Sequence, residues 1–436
     1  MLDKLRLYAQ SLRPRLSSFR HPSFPLRRLL PPASLSGLLP IPTDAGTPHP
    51  PSAVVVLSII VGLPVALWTY KSLMMIIFQR KIIYMGYLPI GARKERLADM
   101  PPAYTAGMDC EEIHLPSADG AAQLSGLVVR PKGQTEPPKA VIVYFQGNAG
   151  GPLHRLPVFQ TLLSSLYPSH APSSSRIPCA IVAIAPRSYW TSTRRRPTQR
   201  GLLADYTSAV QYALSHFPDA RIVLYGHSLG GAIAVCLLSE LREGMTSPRD
   251  KRADATAPGP EGVDVDTKRI QGLILENPFA SIPGMLAALY PQRWVPYRYL
   301  TAFVWDRWDA LEALRSAVSV QSKEAEREKP ALARLAHRML VLISEHDEMV
   351  PPEMGRQIVR AALRGRREDP TAPDVPVPEA KVEGAAAGGG EAKEVARAGT
   401  KMVVIRGALH ENAWDHRGWA EAMREYVREV VEHERW

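Results

Sequence analysis

From Glu111 onward, short β-branched apolar runs alternate with segments of helical period, and this alternation restricts the fold more than any other feature of the chain. The runs are Glu112–Leu115, Leu124–Val129, Ala140–Phe145, Ala180–Ile184, Arg221–Tyr225, Gly272–Leu275, Met339–Ile343 and Met402–Ile405. Most are continuously apolar, as strands buried on both faces must be, which points to a mostly parallel sheet covered by helices rather than to an antiparallel sandwich. Helical patterns fall at Pro152–Leu166, Gly201–His216, Leu229–Leu241, Glu353–Leu363 and Trp414–Glu432. With 45% hydrophobic and 22% charged residues, the chain can bury a large core.

Three stretches interrupt the rhythm. Thr246–Lys268 and Arg366–Thr400 are rich in Pro, Ala, Gly and charge, and the composition predicts flexible surface inserts. Pro278–Leu335 carries many aromatics, among them Trp294, Tyr299, Phe303 and Trp308. It reads either as a short helical cap over a site or as a helix packed on the sheet.

The net charge of +10 is unevenly placed: residues 1–100 hold thirteen Lys and Arg against four acids, so the rest of the chain is close to neutral. A nucleic-acid-binding domain would carry its basic footprint on the folded part, so nucleic acid is not an expected partner. The excess instead lies in a basic, proline-rich arm over residues 1–52, next to an apolar segment at 53–78. Ala53–Tyr70 has no charged residue, and a membrane span needs about 17–25 mainly apolar residues, so a single transmembrane helix is expected there.

Lys71, Arg80 and Lys81 follow that segment closely, which favours the cytosolic side for the C-terminal part, while Arg13–Arg28 pulls the other way. An endoplasmic reticulum or other endomembrane location is expected, with the mitochondrion as the alternative, because the Arg-rich, Ser-rich arm also suits a presequence. The three cysteines have no metal-binding or disulfide spacing; neither a metal nor a cofactor is expected.

The strongest chemical signal is Gly226-His227-Ser228-Leu229-Gly230-Gly231, which directly follows a strand and directly precedes an apolar helix. This is the G-x-S-x-G nucleophile elbow in the strand–turn–helix context it requires. Serine is a weak nucleophile and needs a base, itself oriented by an acid. In the chain order Ser, acid, His, the loops after the last strands supply Asp347 and His410. Glu345 and Glu348 compete with Asp347 as orienter, His346 is a second choice of base, and His227 reads as a packing residue. For the oxyanion, the backbone amides of Leu229 and Asn148 are expected, the latter within Gln146–Gly151 after the third strand.

These residues together resemble the α/β-hydrolase superfamily, and within it the membrane-anchored serine hydrolases typified by α/β-hydrolase domain-containing protein 13 and the fungal bud-emergence hydrolases. The resemblance runs from about Phe78 to the C-terminus through Gln79–Tyr84, Asn148-Ala149-Gly150, the elbow at Ser228, Asn277-Pro278-Phe279, Asp347 before Val350-Pro351, and His410. It implies an α/β-hydrolase fold with a mostly parallel eight-stranded sheet over residues 79–436. Two departures are visible: Gln146 replaces the family's usual His, and Ala185–Trp190 keeps only the Arg and one Tyr of its Asp-Tyr-Arg-Gly-Tyr-Gly stretch.

The expected function is hydrolysis of ester or thioester bonds in lipophilic acyl substrates, either lipid esters or acylated proteins, at a bilayer. Acyl transfer by the same residues and a catalytically silent membrane-anchored scaffold are the alternatives.

Overall fold

The computed structural model describes residues 52–241, 266–319, 330–364, 380–381 and 399–432. The N-terminal arm and nearly all of the two inserts lie outside these residues.

All eight expected strands form: β1 Met108–Pro116, β2 Gln123–Pro131, β3 Ala140–Phe145, β4 Cys179–Ala185, β5 Arg221–His227, β6 Ile270–Glu276, β7 Leu340–Ser344 and β9 Lys401–Ile405. A further two-residue strand, β8 (Ala380–Lys381), pairs in parallel with β9 and makes nine. It falls within the insert expected to carry no regular structure. The outer edge of β9 offers unpaired backbone groups, so a passing segment gains hydrogen bonds there without needing a core of its own.

The sheet order is β1-β2-β4-β3-β5-β6-β7-β9-β8. β1 with β2 and β2 with β4 run antiparallel, and the remaining pairs are parallel. β3 and β4 are buried along their whole length, as their continuous apolar sequences require, whereas the edge strand β1 alternates buried and exposed positions. Phe145 pairs with Gly226, His227 with Glu276, and Ser344 with Ile405. The carboxyl ends of the central strands are therefore level, and the loops that leave them share one edge, where open α/β sheets place their sites.

The main helices are α1 Ala53–Ile77, α2 Leu156–Leu166, α3 Gln199–His216, α4 Leu229–Glu240, α5 Ile282–Leu289, α6 Ala310–Ser319, α7 Pro352–Arg364 and α8 Arg417–Glu432. Thr198 caps α3, its side chain accepting from the Gly201 amide, and Ser281 caps α5 in the same way through Gly284. The chain divides into two units, Met1–Val61 and Gly62–Trp436, so the second part of α1 belongs to the same unit as the sheet. α1 has no buried side chain and contains Pro64. Among the described residues it is the one helix long and apolar enough to cross a membrane.

The aromatic-rich segment after β6 divides sharply in burial. Phe279, Tyr297 and Trp308 are buried, while Trp294, Tyr299, Phe303 and Trp305 are exposed. α5 and a 3-10 helix at Pro296–Phe303 form this region.

A buried ion cluster fixes the loop after β4. Arg187 donates to Asp205 (Nη2 to Oδ1, 2.7 Å) and to Asp119 (Nη2 to Oδ2, 2.9 Å), and both the Arg187 and Asp205 side chains are buried. This accounts for the one arginine retained from the resembled loop. Removing one partner of a buried pair strands the other charge, so Arg187→Met should cost about 3–5 kcal/mol. Urea unfolding measures this loss, and an unchanged midpoint would contradict it.

Candidate active site

Ser228 sits between β5 and α4 with φ 54° and ψ −118°, a left-handed conformation that non-glycine residues seldom adopt. Close backbone packing holds it there. A Cβ on Gly226 would lie 2.5 Å from the Gly230 carbonyl oxygen, and one on Gly230 would lie 2.0 Å from that of Phe145. The two glycines of the motif thus let the turn close against β3. The Ser228 amide donates to the Glu276 carbonyl at 2.9 Å, which ties the elbow to the end of β6.

Asp347 and His410 leave β7 and β9, which are neighbours in the sheet, and their side chains meet: His410 Nδ1 and Asp347 Oδ2 are 2.7 Å apart, both buried. The other Asp347 oxygen accepts the amides of Met349 (2.8 Å) and Val350 (2.7 Å), so the carboxylate is oriented from two sides. With Nδ1 engaged, Nε2 is the ring nitrogen left to exchange a proton.

Burial pushes the His410 pKa down, but the hydrogen bond and charge of Asp347, helped by Glu411 and Glu348, outweigh it, and the net direction is upward from 6.5. If His410 acts as base, activity needs its neutral form, so the acidic limb of kcat/KM should turn above 6.5. Removing the negative charge with Asp347→Asn should move that limb to lower pH. A pH–rate profile on a soluble ester checks both; a wild-type limb below 6.5 would contradict the assignment.

Several neighbours hold the His410 loop. Glu348 Oε2 accepts the His410 amide (3.0 Å), and Glu345 Oε2 accepts that of Gly407 (2.9 Å). Both rivals of Asp347 thus bind backbone while Asp347 meets the imidazole. His346 is largely exposed and lies 3.7 Å from Glu345. Asn277, at φ 47°, donates through Nδ2 to the His410 carbonyl (3.0 Å), and its Oδ1 accepts the Ser344 amide (2.7 Å).

His227 does more than pack. Its Nε2 lies 3.1 Å from the His410 carbonyl oxygen, and the two rings are 4.9 Å apart, which sets the histidine loop against the elbow. Arg155 from the α2 side bonds Glu411 at 2.8 Å and approaches His227 Nδ1 at 3.3 Å. Burial raises the Glu411 pKa, but Arg155 and then the two histidines overcome this and hold it at about 2. His227, His410 and Glu411 have donor atoms close enough to suit a metal ion. The set does not fit one, because a guanidinium already occupies Glu411 and Asp347 occupies His410 Nδ1.

The loop after β3 is equally fixed. Asn148's carbonyl accepts the Tyr189 hydroxyl (2.9 Å) and the Met85 amide (2.6 Å), and the Gly150 amide donates to Leu88 (2.8 Å). Gln146 takes up the support role that its position demands: its side-chain nitrogen donates to the Ala149 carbonyl (2.6 Å), and its amide donates to the Tyr206 hydroxyl (2.7 Å). Leu229 is the first residue of α4, where helix amides lack intrahelical partners and the dipole favours an anion.

A sequence model of the "Alpha/beta hydrolase family" matches residues 150–426, well over half of the chain and including the elbow, Asp347 and His410. The chain belongs to the α/β-hydrolase family. As a member it is a hydrolase. Its relatives are similar at modest identity. Protein bem46 of Schizosaccharomyces pombe is 26% identical over 279 residues, 63% of this chain and 72% of that protein. Alpha/beta hydrolase domain-containing protein WAV2 of Arabidopsis thaliana is 27% identical over 67% of this chain and 78% of its own length. Lysophosphatidylserine lipase ABHD12 of Danio rerio is 26% identical over 52% of this chain and 48% of its own, so this chain spans about half of that lipase. Among solved structures, an esterase of Pyrococcus furiosus is 13% identical with a TM-score of 0.46, covering 77% of this chain and 96% of the esterase.

Proposed function

We propose that this hydrolase cleaves ester or thioester bonds of lipophilic acyl substrates through Ser228, His410 and Asp347. The 2.7 Å pair between Asp347 and His410, held against the Ser228 elbow through His227 and against the end of β6 through Asn277, is the observation that carries this reading. In it, His410 Nε2 takes the Ser228 proton as Oγ attacks the carbonyl carbon, and the tetrahedral oxyanion is met by the Leu229 and Asn148 amides. Collapse breaks the bond to the leaving group, which leaves with the proton from His410. Water then repeats the sequence on the acyl-enzyme. Asp347 keeps the proton of the imidazole on Nδ1 throughout.

The lipophilic class is supported by α1, which in this reading anchors the chain in a membrane, and by a relative that is named as a lysophosphatidylserine lipase. Lys71, Arg80 and Lys81 just after the apolar run favour a cytosolic catalytic unit. Full-length protein in phosphatidylcholine vesicles should release fatty acid from embedded long-chain esters or thioesters, with the acyl group trapped on the Ser228 peptide by rapid acid quench and mass spectrometry. Release without any acylated Ser228 would overturn the mechanism.

A further inference from the structure

Outside α1, the described residues include ten large hydrophobic side chains that are exposed, and nine fall in just two segments. Leu289, Trp294, Tyr299, Phe303 and Trp305 lie in the aromatic region after β6. Phe78, Ile82, Tyr87 and Ile90 lie in the stretch that leaves α1. A soluble surface scatters such residues singly; segregation of this kind marks a surface with a partner.

The two segments form one structure with the end of α1. Gln79 donates through Nε2 to the Phe303 carbonyl (3.0 Å) and accepts the Trp305 amide at Oε1 (2.8 Å). Arg80 pairs with the buried Asp306 at 2.7 Å. Higher on the helix, Trp68 meets Trp294 with ring centroids 6.0 Å apart, and Lys71 lies 4.4 Å from the Tyr297 ring centroid. The aromatic segment therefore runs alongside α1 from Arg80 back to Trp68.

The residue types name the partner. Trp and Tyr beside apolar side chains are the composition of the layer where headgroups meet hydrocarbon. The charge around them is basic: Arg293 and Arg307 are exposed and Arg298 is half-buried, while Asp306 is neutralised by Arg80. A helix that crosses a membrane carries whatever packs along its end to the same depth. Resting on the reading of α1 as a membrane anchor, we infer that the surface of 289–305 and 78–90 is seated in the interfacial layer of an anionic phospholipid leaflet. The catalytic unit is then held against the membrane by a second contact besides its anchor, with Trp294, Tyr299 and Phe303 at headgroup depth and the arginines on acidic lipid.

The test uses the full chain with Cys110→Ser, which leaves only the buried Cys179 and Cys236, labelled with an environment-sensitive fluorophore at one introduced exposed cysteine, in phosphatidylcholine–phosphatidylserine vesicles that contain spin-labelled lipid quenchers. Tyr299→Cys and Phe303→Cys sample the surface, Ile60→Cys the anchor and Lys132→Cys the exposed loop after β2. The expected result is loss of emission at 299, 303 and 60, and none at 132. Quenching at 60 with water-exposed emission at 299 and 303 overturns the inference and leaves the anchor standing. Absence of quenching at 60 means that the anchor reading itself has failed. Omitting phosphatidylserine should weaken quenching at 299 and 303 alone; equal quenching in both lipids overturns the assignment to an anionic leaflet.

Discussion

Ser228→Ala should lower the turnover of any ester substrate by about 10⁶-fold, the loss expected when the nucleophile of a unit that works together is removed. What remains would come from the oxyanion donors and substrate binding, which this substitution does not touch. The fold should be unaffected. Alanine keeps the Cβ that serine has at φ 54°, so the strain of the elbow is neither relieved nor increased. Single-turnover kinetics with a chromogenic ester, together with urea unfolding, separate the two readouts. A variant that is folded and within tenfold of wild type would remove Ser228 from the chemistry.

Gly230→Ala is the counterpart, a substitution that breaks the structure rather than the reaction. Its methyl group would sit 2.0 Å from the Phe145 carbonyl oxygen, 2.6 Å from that carbonyl carbon and 2.9 Å from the Gln146 carbonyl oxygen. All three are backbone atoms of a central strand and its loop, so no side chain can rotate away. Overpacking of this kind should cost about 3 kcal/mol or more, and it should displace the Asn148 loop even where the fold survives. Gly147→Ala offers a graded comparison, since its nearest neighbour is the His227 Nδ1 at 3.3 Å. Equal unfolding midpoints for Gly230→Ala and wild type would show that the turn does not pack as described.

The elbow was legible because its demands are local: a strand, two positions without side chains and a helix start all lie within a dozen residues. Asp347 and His410 could be located because each follows a buried apolar strand, and parallel topology brings such ends together. The supports of His410 carry no such local signature. Asn277 follows β6 and is marked in sequence only as part of a resembled tripeptide, and nothing local shows that its amide bridges two other loops. His227 reads in sequence as packing material because adjacent residues in a tight turn point apart, yet in the fold its ring reaches the His410 carbonyl at 3.1 Å. Arg155 and Glu411 are far apart in sequence and carry no motif, so only the folded sheet reveals their pair. The aromatic segment admits two readings in sequence, a cap over a site and a helix packed on the sheet, because pockets and cores are lined by the same apolar and aromatic side chains.

The central claim is that Ser228 is activated by His410 under the control of Asp347. Labelling the full-length, membrane-reconstituted protein with a fluorophosphonate tests it most directly, because the probe reacts with an activated serine and leaves an ordinary one untouched. Rapid wild-type labelling at Ser228 is expected, absent in Ser228→Ala and strongly slowed in His410→Ala and Asp347→Asn. Labelling that proceeds at the wild-type rate in His410→Ala, or that lands on another serine, would contradict the account.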